Sequence, residues 1–163
     1  MVFILFISYI ILLRIVELLL STKNEKWLLQ NKAVEYGKGH YPFIVALHIS
    51  FIFSMIFEYF TIQETPFSLY FFILYFILLA FKVWVILSLG NFWNTKIYRI
   101  PNAPLITNGP YKYFKHPNYI IVIAEIAIIP MVFHLYYTAI TFSLFNAIML
   151  YVRIKEENKA LKN

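Results

Sequence analysis

Four apolar runs, Val2–Leu20, Phe43–Phe60, Phe67–Leu89 and Tyr119–Tyr151, leave this chain few ways to fold. Each of the first three is about 18 to 23 residues long, enough as a helix to cross a hydrocarbon layer of roughly 30 Å. Lipid offers nothing to hydrogen-bond to, so a crossing segment must satisfy its own backbone, and a helix does so. The fourth run is too long for one crossing, since its 33 residues would reach about 50 Å. Pro130 and His134 interrupt it midway, and a proline inside a helix ends or kinks it. The run therefore reads as a helical hairpin turning near Pro130–Leu135. The expectation is an all-α integral membrane protein of one domain over 1–163. Its five transmembrane helices lie near 2–20, 43–60, 67–89, 117–132 and 135–152.

Composition agrees: 61% of residues are hydrophobic and 13% charged, outside the range of ordinary soluble domains. Cysteine is absent, which removes disulfides, thiolate metal sites and thiol nucleophiles. No cleavable signal is expected, because the first run starts at Val2 without a basic leader and is broken by Arg14 and Glu17.

Loop charges test the five-span reading independently. Lys23, Lys26, Lys32 and Lys38 fall in the first connection. Lys96, Arg99, Lys112 and Lys115 fall in the third, and Arg153, Lys155, Lys159 and Lys162 in the tail. The second connection and the hairpin turn hold no Lys or Arg. With five spans all twelve lie on one side, which the positive-inside bias makes cytoplasmic. The N-terminus is then outside and the C-terminus inside, with membrane lipids as partners. A net charge of +6 placed beside apolar spans suits anionic headgroups and not nucleic acid.

A few ionisable residues interrupt the spans. Arg14 and Glu17 are three residues apart, where they can pair. Counted inward from the cytoplasmic ends, Arg14, His48, Lys82 and Glu125 each lie about 10 Å deep. Lys82 can either join this layer or snorkel to the interface. Glu125, on a short side chain, cannot reach out, and is the intramembrane candidate for function. Glu58, near an outer end, reads as interfacial.

The long connection Gly90–Pro117 holds the most informative stretch, Asn108 to Tyr119, with a Gly-Pro turn, three tyrosines, two lysines and a His-Pro step. Gly37-Lys38-Gly39 lacks the third glycine of a dinucleotide fingerprint, and no phosphate-loop motif exists. The four histidines are isolated in sequence, so no zinc site is expected.

The ordered motifs Gly109-Pro110-Tyr111, Lys115-His116-Pro117-Asn118-Tyr119 and Arg153-x-x-Glu156-Glu157 resemble the isoprenylcysteine carboxyl methyltransferase family. Upstream, Asn24-Glu25-Lys26-Trp27, Gly39-His40-Tyr41-Pro42 and Leu89-Gly90-x-x-Trp93-Asn94-Thr95 resemble its small bacterial branch. Lys115 stands where the family usually has Arg, keeping the charge but losing the bidentate fork. The resemblance implies S-adenosylmethionine as methyl donor, bound at the cytoplasmic face of a bacterial cell membrane by residues 90–118 and 153–163. The donor-binding residues would be Tyr111, Lys115, His116, Pro117, Tyr119, Glu156 and Glu157.

A lipophilic acceptor would enter from the bilayer. A carboxylate acceptor needs only orientation, for which Arg153 is the candidate. An enol or phenol must lose a proton, for which Glu125 and His116 are the candidates. The branch is similar to enzymes that O-methylate alkylpyrones, which favours an enol or phenol oxygen. Two other readings stay open: a sterol-reductase-like enzyme using NADPH, and a small transporter or subunit without catalysis.

Overall fold

The computed structural model describes residues 1–62 and 65–161. Gln63 and Glu64 of the second connection, and Lys162 of the basic tail, lie outside the described residues. Five α-helices occur among them: α1 (Val2–Gln30), α2 (Tyr41–Thr61), α3 (Leu69–Leu89), α4 (Pro117–Met131) and α5 (Tyr136–Ala160). Among the described residues, four helices are long and apolar enough to cross a membrane: α1, α2, α3 with its continuation to Phe92, and α5. Helix α4 is apolar but has 15 residues, about 22 Å, less than a full hydrocarbon crossing. Large apolar side chains point outward on these helices, Phe57 at 73% and Leu87 at 74% exposure. Such a surface would drive association in water and suits lipid.

The chain forms two compact units. The first comprises Met1–Tyr41, Leu89–Ile106 and Val152–Asn163. Here α1 runs ten residues past the expected end at Leu20. No glycine or proline interrupts Ser21–Gln30, and Ser21, Asn24 and Leu28 form a buried stripe at helical spacing. The extension stops in a cap in which Lys32 N–H donates to the Leu29 carbonyl and Ala33 N–H to that of Leu28. Lys32 takes the left-handed conformation, φ 60°, at the position where glycine is usual. Two short strands follow the polar segments: β1 (Val34–Tyr36) pairs antiparallel with β2 (Ile97–Arg99), Glu35 opposite Tyr98. The first connection and the Gly90–Pro117 segment, read as loops, thus contribute a two-stranded ribbon.

The second unit comprises Pro42–Ser88 and Thr107–Tyr151. Helices α2 and α5 meet through Phe51 and Phe142, ring centroids 5.4 Å apart, and through the Ser54 and Thr138 hydroxyls at 2.8 Å. Glu58 is buried, not interfacial. Its carboxylate accepts the backbone N–H groups of Tyr137 (3.0 Å) and Thr138 (2.7 Å) in the first turn of α5. A helix start leaves N–H groups without intrahelical partners and carries positive potential, so a carboxylate there is doubly favoured. Helix α4 ends one turn after Ile126, with Pro130 in its last turn, and His134 at φ 55° reverses the local backbone before α5 begins.

Candidate functional site

Within the first unit, three separate segments converge on Asn94 and Thr95. The Ser21 hydroxyl lies 3.0 Å from Asn94 Oδ1 and 2.8 Å from Thr95 Oγ1, and it also accepts the Thr95 backbone N–H. The Asn24 amide donates to the carbonyls of Gly90 and Trp93. The Tyr41 hydroxyl reaches Thr95 Oγ1 at 3.1 Å, and Arg153 Nη2 donates to the Thr95 carbonyl at 2.8 Å. Thr95 therefore ties α1, the start of α2 and the end of α5 together through one residue.

Beside this junction, Glu25 Oε1 accepts from Lys96 Nζ and from the Tyr98 hydroxyl, each at 2.7 Å. The bond to Glu25 holds the Lys96 ammonium above its ordinary pKa, with burial opposing it. Burial, then the same carboxylate, pushes the Tyr98 phenol up. Lys96 Nζ also lies 5.6 Å from the centre of the Tyr41 ring, within cation–π range.

His40 stands at the turn before α2. Gly37 has φ 64°, and a Cβ there would collide with the His40 ring and lie 3.3 Å from Glu156 Cβ. Only glycine lets the ring and the tail helix close over this backbone. Burial lowers the His40 pKa, the Arg153 cation lowers it further, and Glu156 partly offsets both. Glu156 itself pairs with Lys159 at 2.6 Å. Trp93 Nε1 and Arg99 Nε are buried N–H donors without an acceptor among the described residues.

The second unit holds the remaining candidates. The Gly-Pro-Tyr turn exists because Gly109, φ 56°, approaches the end of α3 so closely that a Cβ would strike the Ser88 hydroxyl and lie 3.2 Å from Trp84 Nε1. His116 precedes α4 and Pro117 opens it, where proline's missing N–H costs nothing. That start sets the His116 ring over Tyr119, centroids 5.3 Å apart and planes 23° from parallel. Tyr119 and Pro117 are buried, Tyr111 and His116 are half-buried, and Lys115 is exposed. One helical turn and a half deeper, Glu125 Oε1 accepts from Lys82 Nζ at 2.9 Å, both side chains under 5% exposed. Lys82 does not snorkel; it forms a buried ion pair linking α3 to α4.

The structure thus joins His116 to Tyr119, Glu125 to Lys82, and Arg153 to Thr95, with Arg153 and Glu156 both acting on His40. Glu157 is half-buried on the tail helix. Arg14 pairs with Glu17 at 2.8 Å, as their spacing predicts, and His48 Nδ1 sits 2.8 Å from the Ile44 carbonyl. Sequence reasoning gave no role to Ser21, Asn24, His40 or Thr95. For Asn24, His40 and Thr95 the signal was present in the upstream segments that resemble the bacterial branch, whereas Ser21 lies outside those segments.

Residues 69–163 match the model of the isoprenylcysteine carboxyl methyltransferase (ICMT) family. The chain belongs to this family. ICMT-family membership and four long apolar helices identify an integral membrane protein of methyltransferase type. The chain is also similar to "Uncharacterized protein YpbQ" of Bacillus subtilis (strain 168). The two are 41% identical over 160 residues, covering 97% of this chain and 95% of the relative. An "Uncharacterized protein" of Haemophilus influenzae is 30% identical over 159 residues, 94% and 91% of the two chains. No solved structure gives a significant match.

Proposed function

We propose that this ICMT-family protein transfers a methyl group from S-adenosylmethionine to an oxygen of a lipophilic small molecule, such as an alkylpyrone or a prenylated compound. In this reading α4 and α5 form a hairpin that completes five spans, with the N-terminus outside and the donor bound at the cytoplasmic side of the cell membrane.

The observation that carries the reading is the donor-rich polar junction around Asn94–Thr95 in a chain of this family. Arg153 anchors there, and the buried N–H groups of Trp93 and Arg99 call for an acceptor. An amino-acid carboxylate is such an acceptor, and buried donors left unmet are costly. The donor set therefore fits S-adenosylmethionine, whose sulfonium supplies an electrophilic methyl carbon and leaves as a neutral thioether.

Each residue has a task that its chemistry allows. Glu156 and Glu157 accept hydrogen bonds from ribose hydroxyls, as carboxylates do. The stacked His116 and Tyr119 offer an aromatic face to a sulfonium or an adenine. Tyr111, Lys115 and Pro117 hold the loop that carries them, Lys115 also supplying positive charge. For a carboxylate acceptor, Arg153 orients the oxygen. For an enol or phenol, a proton must leave. His116 and Glu125 are groups that can take it, and Glu125 must weaken its bond to Lys82 to do so. Most of the rate comes from alignment of oxygen and methyl carbon, which a packed, water-poor interior favours.

The test is transfer itself. Membranes carrying the protein are incubated with methyl-labelled S-adenosylmethionine, extracted, and compared with membranes carrying Arg153→Ala. A labelled lipophilic product that depends on Arg153 is expected. Label confined to the aqueous phase in both would refute the proposal.

A further inference from the structure

His40 stands one residue before α2 begins. Its backbone N–H donates to the Gly37 carbonyl at 3.2 Å. Because Gly37 has no Cβ, the ring can lie over that turn with Glu156 of the tail helix close by. The polar groups around it are committed elsewhere. Glu25 takes Lys96 and the Tyr98 hydroxyl, and Glu156 takes Lys159. The Tyr41 hydroxyl meets Thr95 Oγ1, and Arg153 donates to the Thr95 carbonyl. The His40 ring is half-buried, and neither of its nitrogens has a hydrogen-bond partner among the described residues.

Two charged groups of α5 act on this ring in opposite senses: Arg153 disfavours the imidazolium and Glu156 favours it. Burial and Arg153 together keep the imidazole neutral at neutral pH, with a lone pair on one nitrogen. Glu156 then stands beside any cation formed when a proton arrives. A neutral base with a counter-charge in place is what general-base catalysis requires. The location suits the task as well. His40 lies at the end of a membrane-spanning helix, the level where an amphiphile rests its polar end while its chain stays in lipid. The same unit holds Arg153, Glu156 and the buried Trp93 and Arg99 donors given above to the methyl donor. Glu125, held by Lys82, and His116, stacked on Tyr119, belong to the second unit.

We infer that His40 is a further catalytic residue, the base that takes the proton from the acceptor's hydroxyl as the methyl group moves. The acceptor O–H bond breaks and its proton passes to the open ring nitrogen. The O–CH3 bond forms while the C–S bond breaks, its electron pair returning to sulfur. The products are a methyl ether, a neutral thioether and an imidazolium beside Glu156, which gives its proton back to water. This inference rests on the proposed function, for an acceptor that presents an O–H group, and assigns that proton to a residue of the first unit.

The test measures methyl transfer by the detergent-purified protein to pentadecylphenol and to its ortho-difluorinated analogue. At about pH 8.5 the analogue is ionised and the parent, like tyrosine, is not. His40→Gln should slow turnover of the parent about hundredfold and of the analogue about threefold or less. Donor affinity by calorimetry should stay within about twofold of wild type. Wild-type turnover of the parent should be level between about pH 7 and about pH 8.5 and decline below, a profile that needs no variant. The inference is overturned if the wild type methylates neither phenol, if His40→Gln slows both equally or neither, or if donor affinity falls with it. A wild-type rate climbing about tenfold per pH unit over that range overturns it even should His40→Gln not fold, since free phenolate is then the reactant. Labelled lipid formed in membranes, with any of these results, upholds the proposed function and refutes this inference alone. Absence of donor binding refutes both.

Discussion

Lys82 and Glu125 meet at 2.9 Å, both under 5% exposed, and link α3 to α4 inside the second unit. Removing one partner leaves a buried charge without its counter-ion, which costs about 3–5 kcal/mol, while an apolar pair of similar volume is close to neutral. Lys82→Met and Glu125→Gln should each lower the melting temperature clearly, and Lys82→Met/Glu125→Leu should recover most of the loss. Thermal unfolding in one detergent checks this. Single variants as stable as wild type would show that the pair contributes little to packing. Glu125→Gln should also reduce turnover, and wild-type turnover in a folded Glu125→Gln protein would confine Glu125 to packing.

Glu58 tests the start of α5. Replacing it with alanine removes two charge-assisted bonds to the Tyr137 and Thr138 amides, a loss of about 2–3 kcal/mol. Hydrogen exchange at those two amides should accelerate in Glu58→Ala more than exchange elsewhere in α5. Unchanged protection there would mean that another group satisfies the helix start.

Sequence legibility divides along the same lines. The long helices follow from hydropathy, because lipid penalises every other backbone arrangement, and the break near Pro130 follows from a proline's missing N–H. Arg14 and Glu17 are readable as a pair because helix geometry alone brings them together. The fate of Lys82 was not readable. Its stem allows two outcomes, and the choice depends on a carboxylate 43 positions away. The ten-residue extension of α1 was hidden for a similar reason. Its polar side chains look like a solvated connection until Asn94 and Thr95, more than seventy positions on, supply their partners. Glu58 could not be assigned without knowing where α5 begins.

The His40 environment gives a pH dependence with a definite sign. Burial and Arg153 lower its pKa below the ordinary 6.5, so the unfolded chain binds this proton more readily than the folded one. Stability from this group is present above that value and declines as pH falls below it. Melting temperature should therefore drop between about pH 7.5 and about pH 5.5, and less steeply in His40→Gln. Equal slopes for the two proteins would remove His40 as the cause.

Gly37 should tolerate no side chain. Gly37→Ala adds a Cβ at φ 64° into the His40 ring and should destabilise by about 1–3 kcal/mol, with donor affinity falling as Glu156 is displaced. A Gly37→Ala protein with wild-type melting and donor binding would mean that the turn and the tail helix move apart freely.

Isothermal calorimetry of the detergent-purified protein with S-adenosylmethionine tests the central claim most directly. The account predicts saturable one-site binding, weakened at least about tenfold in both His116→Ala and Glu157→Ala, and no binding of NADPH. Absence of heat with S-adenosylmethionine, or donor affinity unchanged in both variants, would contradict it.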